Sequence, residues 1–259
     1  MVRRTFKDKL RDWLYPLKRA IPREFSLRYK HNFHPEHQAS QGGEDGINHE
    51  IFRRIGVDKG TFVEFGAWNG VRYANSFALL RRGWSGLYIE ADPEKFKELV
   101  ENMKPYPGVE CQCRFVRTEG EDSLDQILQG TQLPKDFDFL CIDIDSVDYW
   151  IWKSVEVYRP KVVVMEYNPH YAPHESMTLP PDARPWEELG AEGYGASAAA
   201  LTRLGKAKGY TLVAYTRKLN LFFVRDDLAK GRFDTLDVTR VPYIENSTVS
   251  KSEWGIVEV

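Results

Sequence analysis

The chain has 259 residues, of which 42% are hydrophobic and 29% charged, and its formal net charge is -2. Those values describe one large globular domain with appendages and enough apolar material for a core. They exclude a strong field for nucleic acid over the whole molecule, and no apolar run approaches the length that spans a membrane.

The charge is uneven. Residues 1–31 carry ten Lys/Arg (the run begins Arg3, Arg4, Lys7) and the three acids Asp8, Asp12 and Glu24, a surplus of seven positive charges. Phe6, Leu10, Trp13, Leu14 and Leu17 recur there at helical spacing, limited by Pro16 and Pro22. The segment is expected to be a basic amphipathic arm over 1–39. It either docks on the domain or a second subunit, or contacts an anionic membrane surface peripherally. The catalytic domain is expected over 40–228, with a C-terminal extension over 229–259.

Beyond the polar stretch His34 to Gly46, the pattern predicts a short helix over Ile47–Ile55 and then a regular alternation. Strands are expected at Thr61–Phe65, Gly86–Glu90, Val109–Val116, Phe137–Ile142 and Lys161–Glu166. Helices are expected at Val71–Arg82, Glu94–Met103, Leu124–Gln129 and Asp148–Tyr158. Asp92-Pro93 and Ser123 read as helix starts. Asn168 to Glu192 is proline-rich and reads as a long loop. Ser197–Lys208 is a helix ended by Gly209. Tyr210–Thr216 and Leu219–Val224 read as a hairpin. Repeated strand–helix units require a mostly parallel sheet covered on both faces. Cys111, Cys113 and Cys141 form no CxxC pair and read as buried apolar thiols, which fits a reducing, cytoplasmic setting.

Four segments at strand ends carry chemistry, where ligands bind in parallel sheets. In Glu64-Phe65-Gly66-Ala67-Trp68-Asn69-Gly70, Gly66 lets a ligand approach the backbone and Gly70 lets a helix start close to the sheet. The spacing is not GxGxxG, which counts against a dinucleotide-dependent oxidoreductase. In Glu90-Ala91-Asp92, Glu90 lies about twenty residues after that turn, where an acid accepts from ribose hydroxyls. Asp92 reads as a helix cap. Asp143-Ile144-Asp145-Ser146-Val147-Asp148 gathers three acids after a strand, a cluster suited to a cation, a polar ligand or acid–base work. Asp148 is open to a second reading, as a cap. Glu166-Tyr167-Asn168-Pro169-His170 follows the next strand, and His170 is a candidate base.

From about Ser40 to Arg225 the order of these segments resembles class I S-adenosylmethionine-dependent methyltransferases, most closely the FkbM-type branch. The marks are Ser40-Gln41-Gly42-Gly43-Glu44-Asp45-Gly46, Glu64-Phe65-Gly66-Ala67, Asp143-Ile144-Asp145 with Asp148-Tyr149-Trp150, and Glu166-Tyr167-Asn168-Pro169. The resemblance implies a Rossmann-like α/β fold, with a mostly parallel seven-stranded sheet and a terminal antiparallel hairpin. It implies that Glu64, Gly66, Ala67, Trp68, Gly70, Glu90, Ala91 and Asp143 surround the cofactor. It places adenine contacts between Arg117 and Ser123, and methyl transfer to a hydroxyl of a sugar, glycan or natural product beside Asp143–Asp148. Asp145, His170 and Asp148 are the catalytic candidates, and a divalent cation on Asp143 and Asp145 is the alternative to a protein base. In related sequences a glycine stands where this chain has Ser146, so a positive φ is expected to strain that position. Asn69 replaces a common acid. A catalytically idle scaffold of the same fold is the competing reading.

Overall fold

The computed structural model describes residues 39–182, 195–217, 219–245 and 257–259. The basic arm therefore lies outside the described residues, as does the stretch 183–194 of the proline-rich loop. In chain order the elements are α1 (Glu44–Ile55), β1 (Thr61–Phe65), α2 (Phe77–Leu80), β2 (Ser85–Glu90), α3 (Pro93–Met103), β3 (Val109–Cys113), α4 (Leu124–Gln129) and β4 (Phe139–Ile142). Then follow α5 (Asp148–Ser154), β5 (Val162–Glu166), β6 (Met177–Thr178), α6 (Ala198–Ala207), β7 (Tyr210–Tyr215), β8 (Asn220–Arg225), α7 (Asp226–Ala229) and β9 (Val257–Glu258).

Seven strands form one sheet in the order β3-β2-β1-β4-β5-β8-β7. The first five are parallel, and β8 runs antiparallel to both β5 and β7. This is the Rossmann-like α/β architecture expected from the resemblance, a mostly parallel seven-stranded sheet with a terminal antiparallel hairpin. The chain order reverses between β1 and β4, so a crevice opens where their carboxyl ends diverge.

The short apolar runs form strands because alternate side chains enter two separate cores. Val63, Leu87, Leu140 and Val163 face the core covered by α4, α5 and α6. Phe62, Tyr88, Phe139 and Val164 face the core covered by α1, α2 and α3. The 229–245 region is built into both, contributing Leu236 and Val241 to the first and Ala229 and Phe233 to the second. β9 pairs antiparallel with β6, and the Val259 amide donates to the Ser176 carbonyl at 2.9 Å. The proline-rich loop thus contains a strand that its composition conceals.

Several expected elements are corrected. The helix predicted over Val71–Arg82 is only Phe77–Leu80. Tyr73 has φ 62, and the Glu64 carboxylate takes the amides of Asn75 and Ser76, so the chain bends until that point. Ser123 makes no side-chain cap bond to α4. Of the thiols, Cys141 is buried, Cys111 half-buried and Cys113 exposed, because β3 is the sheet's edge. Among the described residues, no helix is long and apolar enough to cross a membrane.

Candidate functional site

A cavity of about 1390 Å³ lies across the carboxyl ends of β1 to β5. Its floor is built from the residues that directly follow the strands.

After β1 the chain turns through Gly66, at φ 73. A Cβ there would lie 1.7 Å from the Asp143 carbonyl oxygen. The glycine is therefore required by the neighbouring strand end as much as by a ligand. Gly70 is outside the cavity lining, and a Cβ on it would lie 2.5 Å from Leu99 Cδ1, so its smallness serves the packing of α3. Glu64 borders the cavity, but its carboxylate is turned inward. It accepts from the Asn75 amide at 2.8 Å and the Ser76 amide at 2.9 Å, and from the Ser76 hydroxyl. Burial holds its pKa above the usual carboxylate value, opposed by these donors.

After β2, Glu90 is buried at the cavity wall. One oxygen accepts from the Trp68 amide at 2.7 Å, the other from the Asp92 amide at 2.8 Å. A carboxylate offers about four acceptor directions, so two remain for a ligand. Ala91 sits beside it. Asp92 caps α3, accepting from the Glu94 and Lys95 amides at 2.8 and 3.2 Å, and Pro93 occupies the first turn.

After β4 the loop is held from within. Asp148 accepts from the Ile144 and Ser146 amides, both at 2.9 Å. It does not line the cavity, so its geometry is that of a brace for the loop. Burial pushes its carboxyl up to about 6, countered by those amides. The positive φ expected at Ser146 falls instead on Asp145, at φ 55. Asp tolerates that region better than most residues, so Ser146 carries no backbone strain. Among the described residues the non-glycine positive φ values are at Trp68, Tyr73 and Asp145, and all three line the cavity. Strain gathered this way marks ligand sites.

Glu166 is the last residue of β5, one strand over from Asp143. Asp143, Asp145 and Glu166 offer ligand oxygens that all lie within 4.8 Å of one another. Burial pushes the Asp143 carboxyl well above its ordinary range, and the charges of Asp145 and Asp148 push it further. Glu166 is raised by burial and then by Asp143 and Asp145. Sequence reasoning placed Glu166 at a strand end but missed it as a ligand. The available signal was its position as the last residue of the strand beside the acidic loop. His170, the other catalytic candidate, is not brought to the cavity. It is half-buried, its backbone amide donates to Asn168 Oδ1 at 2.9 Å, and it does not line the site. Of the predicted residues, the cavity gathers Glu64, Gly66, Ala67, Trp68, Glu90, Ala91, Asp143 and Asp145, and leaves out Gly70, Asp148 and His170.

No family model and no curated protein matches the chain. Solved structures of similar fold include the N-terminal domain of EvdMO1 in the presence of SAH and D-fucose, with TM-score 0.44 and 15% identity over 83% of this chain and 94% of that one. A SAM-dependent methyltransferase from Aquifex aeolicus gives TM-score 0.41 and 12% identity over 68% of this chain and 86% of that one. A putative RNA methyltransferase from Pyrococcus horikoshii gives TM-score 0.42 and 14% identity over 86% and 99%. At these identities the likeness extends no further than the fold.

Proposed function

We propose that this chain is an S-adenosylmethionine-dependent O-methyltransferase acting on a hydroxyl of a sugar, glycan or natural product, with a divalent cation at the acceptor side. The observation that carries the reading is the three-carboxylate cluster of Asp143, Asp145 and Glu166, facing the same cavity as Glu90. Glu90 and the three carboxylates line one crevice.

The residues present fit both groups. Glu90 keeps acceptor capacity toward the cavity, as ribose hydroxyls require. Three carboxylates form the hard oxygen donor set that suits magnesium, calcium or manganese, and their mutual repulsion is the kind a cation relieves. S-adenosylmethionine, when bound, supplies an electrophilic methyl on sulfur. A cation held by the three acids would lower the pKa of a nearby hydroxyl. The chain's own work is positioning. Gly66, Ala67 and Trp68 form the cradle beside β1, and Glu90 and Ala91 orient the nucleoside; where no cation is held, Asp145 is the acid to accept the hydroxyl proton in its place.

Glu90→Ala is the test of the nucleoside end. Loss of a charge-assisted acceptor should weaken S-adenosylhomocysteine by about 1.5–3 kcal/mol, roughly tenfold to a hundredfold. Calorimetry on the folded variant measures it, and wild-type affinity would remove Glu90 from this role. The same titration on the wild type, followed by a screen of hydroxylated acceptors with and without magnesium, tests the activity. Binding without turnover on any acceptor would favour an idle scaffold.

The proposal extends to a cytoplasmic setting in which the basic arm meets anionic lipid. Its support is the surplus positive charge and the Trp13-bearing apolar stripe of residues 1–31. Vesicle flotation should show salt-sensitive binding to anionic, not neutral, vesicles, lost on deleting residues 1–23. Absence of binding at low salt, with an altered oligomeric state on deletion, would make the arm a docking helix.

A further inference from the structure

The cavity carries acids along its length, with Asp143, Asp145 and Glu166 over β4 and β5. Over β1 and β2 Glu90 and Asp92 are joined by two cations, Arg72 and Lys95, and two aromatic rings, Trp68 and Tyr73. The Arg72 guanidinium lies 5.0 Å from the Trp68 ring centroid and 4.9 Å from that of Tyr73. Lys95 Nζ lies 5.9 Å from the same Trp68 ring.

One indole therefore carries two cations. Arg72 has no carboxylate partner among the described residues, and Lys95 reaches only Asp92, at the 4.0 Å limit of an ion pair. Two cations on one ring, neither closely paired with a carboxylate, leave positive charge available to an anion. The backbone bearing them is strained, with Trp68 at φ 49 and Tyr73 at φ 62, and such strain in bulky residues is found at ligand clamps. Tyr73 is also 45% exposed at the mouth, where its hydroxyl accepts from Arg72 Nη2 at 3.3 Å. The cavity of about 1390 Å³ exceeds the ~300–1,000 Å³ of a single small-molecule site, which leaves room for a second ligand beside a cofactor.

We propose that Arg72 and Lys95, set over Trp68, bind a phosphate or diphosphate carried by the methyl acceptor. The inference rests on the hydroxyl-methylation reading, and it names the acceptor's class: a hydroxylated group joined to a phosphate ester. The anion lies at Arg72 and Lys95, and the hydroxylated part reaches Asp143, Asp145 and Glu166. Two cations at a solvent-exposed mouth match a dianion better than the single carboxylate of an amino-acid cofactor. A nucleic acid fits less well. The chain is net negative, and a polyanion continuing across the cavity would meet the three acids.

The test is calorimetry at low salt on the full chain, in metal-free buffer, with and without S-adenosylhomocysteine. The probes are inorganic pyrophosphate, uridine diphosphate, farnesyl diphosphate and a hexanucleotide. Pyrophosphate should bind the wild type, and Arg72→Ala and Lys95→Ala should each weaken it at least tenfold, while S-adenosylhomocysteine affinity stays within twofold. Both side chains are at the surface, so the variants should keep the wild-type melting temperature. If uridine diphosphate binds more tightly than farnesyl diphosphate, the acceptor is nucleotide-linked; the reverse order makes it lipid-linked. Absence of pyrophosphate binding, or binding indifferent to both substitutions, overturns the proposal. Loss of S-adenosylhomocysteine affinity in both variants also overturns it, since the two cations would then serve the cofactor. A hexanucleotide that outbinds every diphosphate overturns it in favour of nucleic acid. Failure of the wild type to bind S-adenosylhomocysteine strikes the methyltransferase reading instead, and pyrophosphate binding to the free protein is read separately.

Discussion

Asp143→Asn and Glu166→Gln should each lower methyl transfer by about a hundredfold or more, yet make the cation-free protein more stable. The first effect follows, on the proposed function, from removing one of the three carboxylates that would hold the cation. The second follows from electrostatics. Asp143 and Glu166 are half-buried beside each other and Asp145, so desolvation and like charge both hold their carboxyls well above the ordinary values of 3.8 and 4.5. A carboxyl raised on folding keeps its proton in the folded state after the unfolded chain has lost it. Stability therefore falls as pH rises above those ordinary values. A neutral isostere removes one source of that fall. The expected gain is about 1 kcal/mol, or ~2–4 °C in melting temperature, larger at pH 8 than at pH 5. Magnesium should produce a similar pH-dependent gain in the wild type and a smaller one in the variants. Thermal melts across that range, with and without magnesium, measure both. Parallel pH profiles for wild type and variants, with no response to magnesium, would show that the three acids are not a cation site.

Gly66→Ala should be among the most damaging single-methyl changes in the chain. The added carbon would sit 1.7 Å from the Asp143 carbonyl oxygen, on a backbone held at φ 73. Neither β1 nor β4 can retreat without breaking the pairing of Phe65 with Ile142. The loss should reach about 4 kcal/mol or more, the range reserved for a steric conflict in a rigid core. Gly120→Ala is the control. Gly120 has φ 76 with nothing within 4 Å of an added Cβ, so it reports the backbone cost alone, ~1–2 kcal/mol. Urea unfolding of both variants separates the two contributions. Equal losses would mean that the contact with Asp143 imposes no constraint.

The sheet was legible because its strands are short apolar runs that end in turn residues, and burial on both faces leaves that signature. The separation of Glu90 from Asp92 was legible for a local reason: Asp92-Pro93 announces a helix start, which leaves the preceding acid for another task. What sequence reading lost was set by residues distant along the chain. Val71 to Ser76 carries a helical pattern, yet Glu64 takes the amides of Asn75 and Ser76 from another element and keeps the segment bent. Ser146 was expected to hold a glycine-like conformation, but Asp148 ties down the Ile144 and Ser146 amides and transfers that conformation to Asp145. Glu166 entered the site only through the pairing of β4 with β5, which composition does not encode. β6 escaped notice because its partner strand, β9, lies some eighty residues downstream, at Val257–Glu258.

The bond from the Trp68 amide to Glu90 joins the proposed nucleoside position to the proposed phosphate position. One carboxylate both faces the nucleoside position and tethers the residue on which Arg72 and Lys95 rest. Any coupling that this bond carries between the two positions is reciprocal. Whatever factor a bound cofactor adds to acceptor affinity, a bound acceptor returns to the cofactor. A favourable coupling would hold the spent cofactor until the methylated product had left, and an unfavourable one would hasten its release.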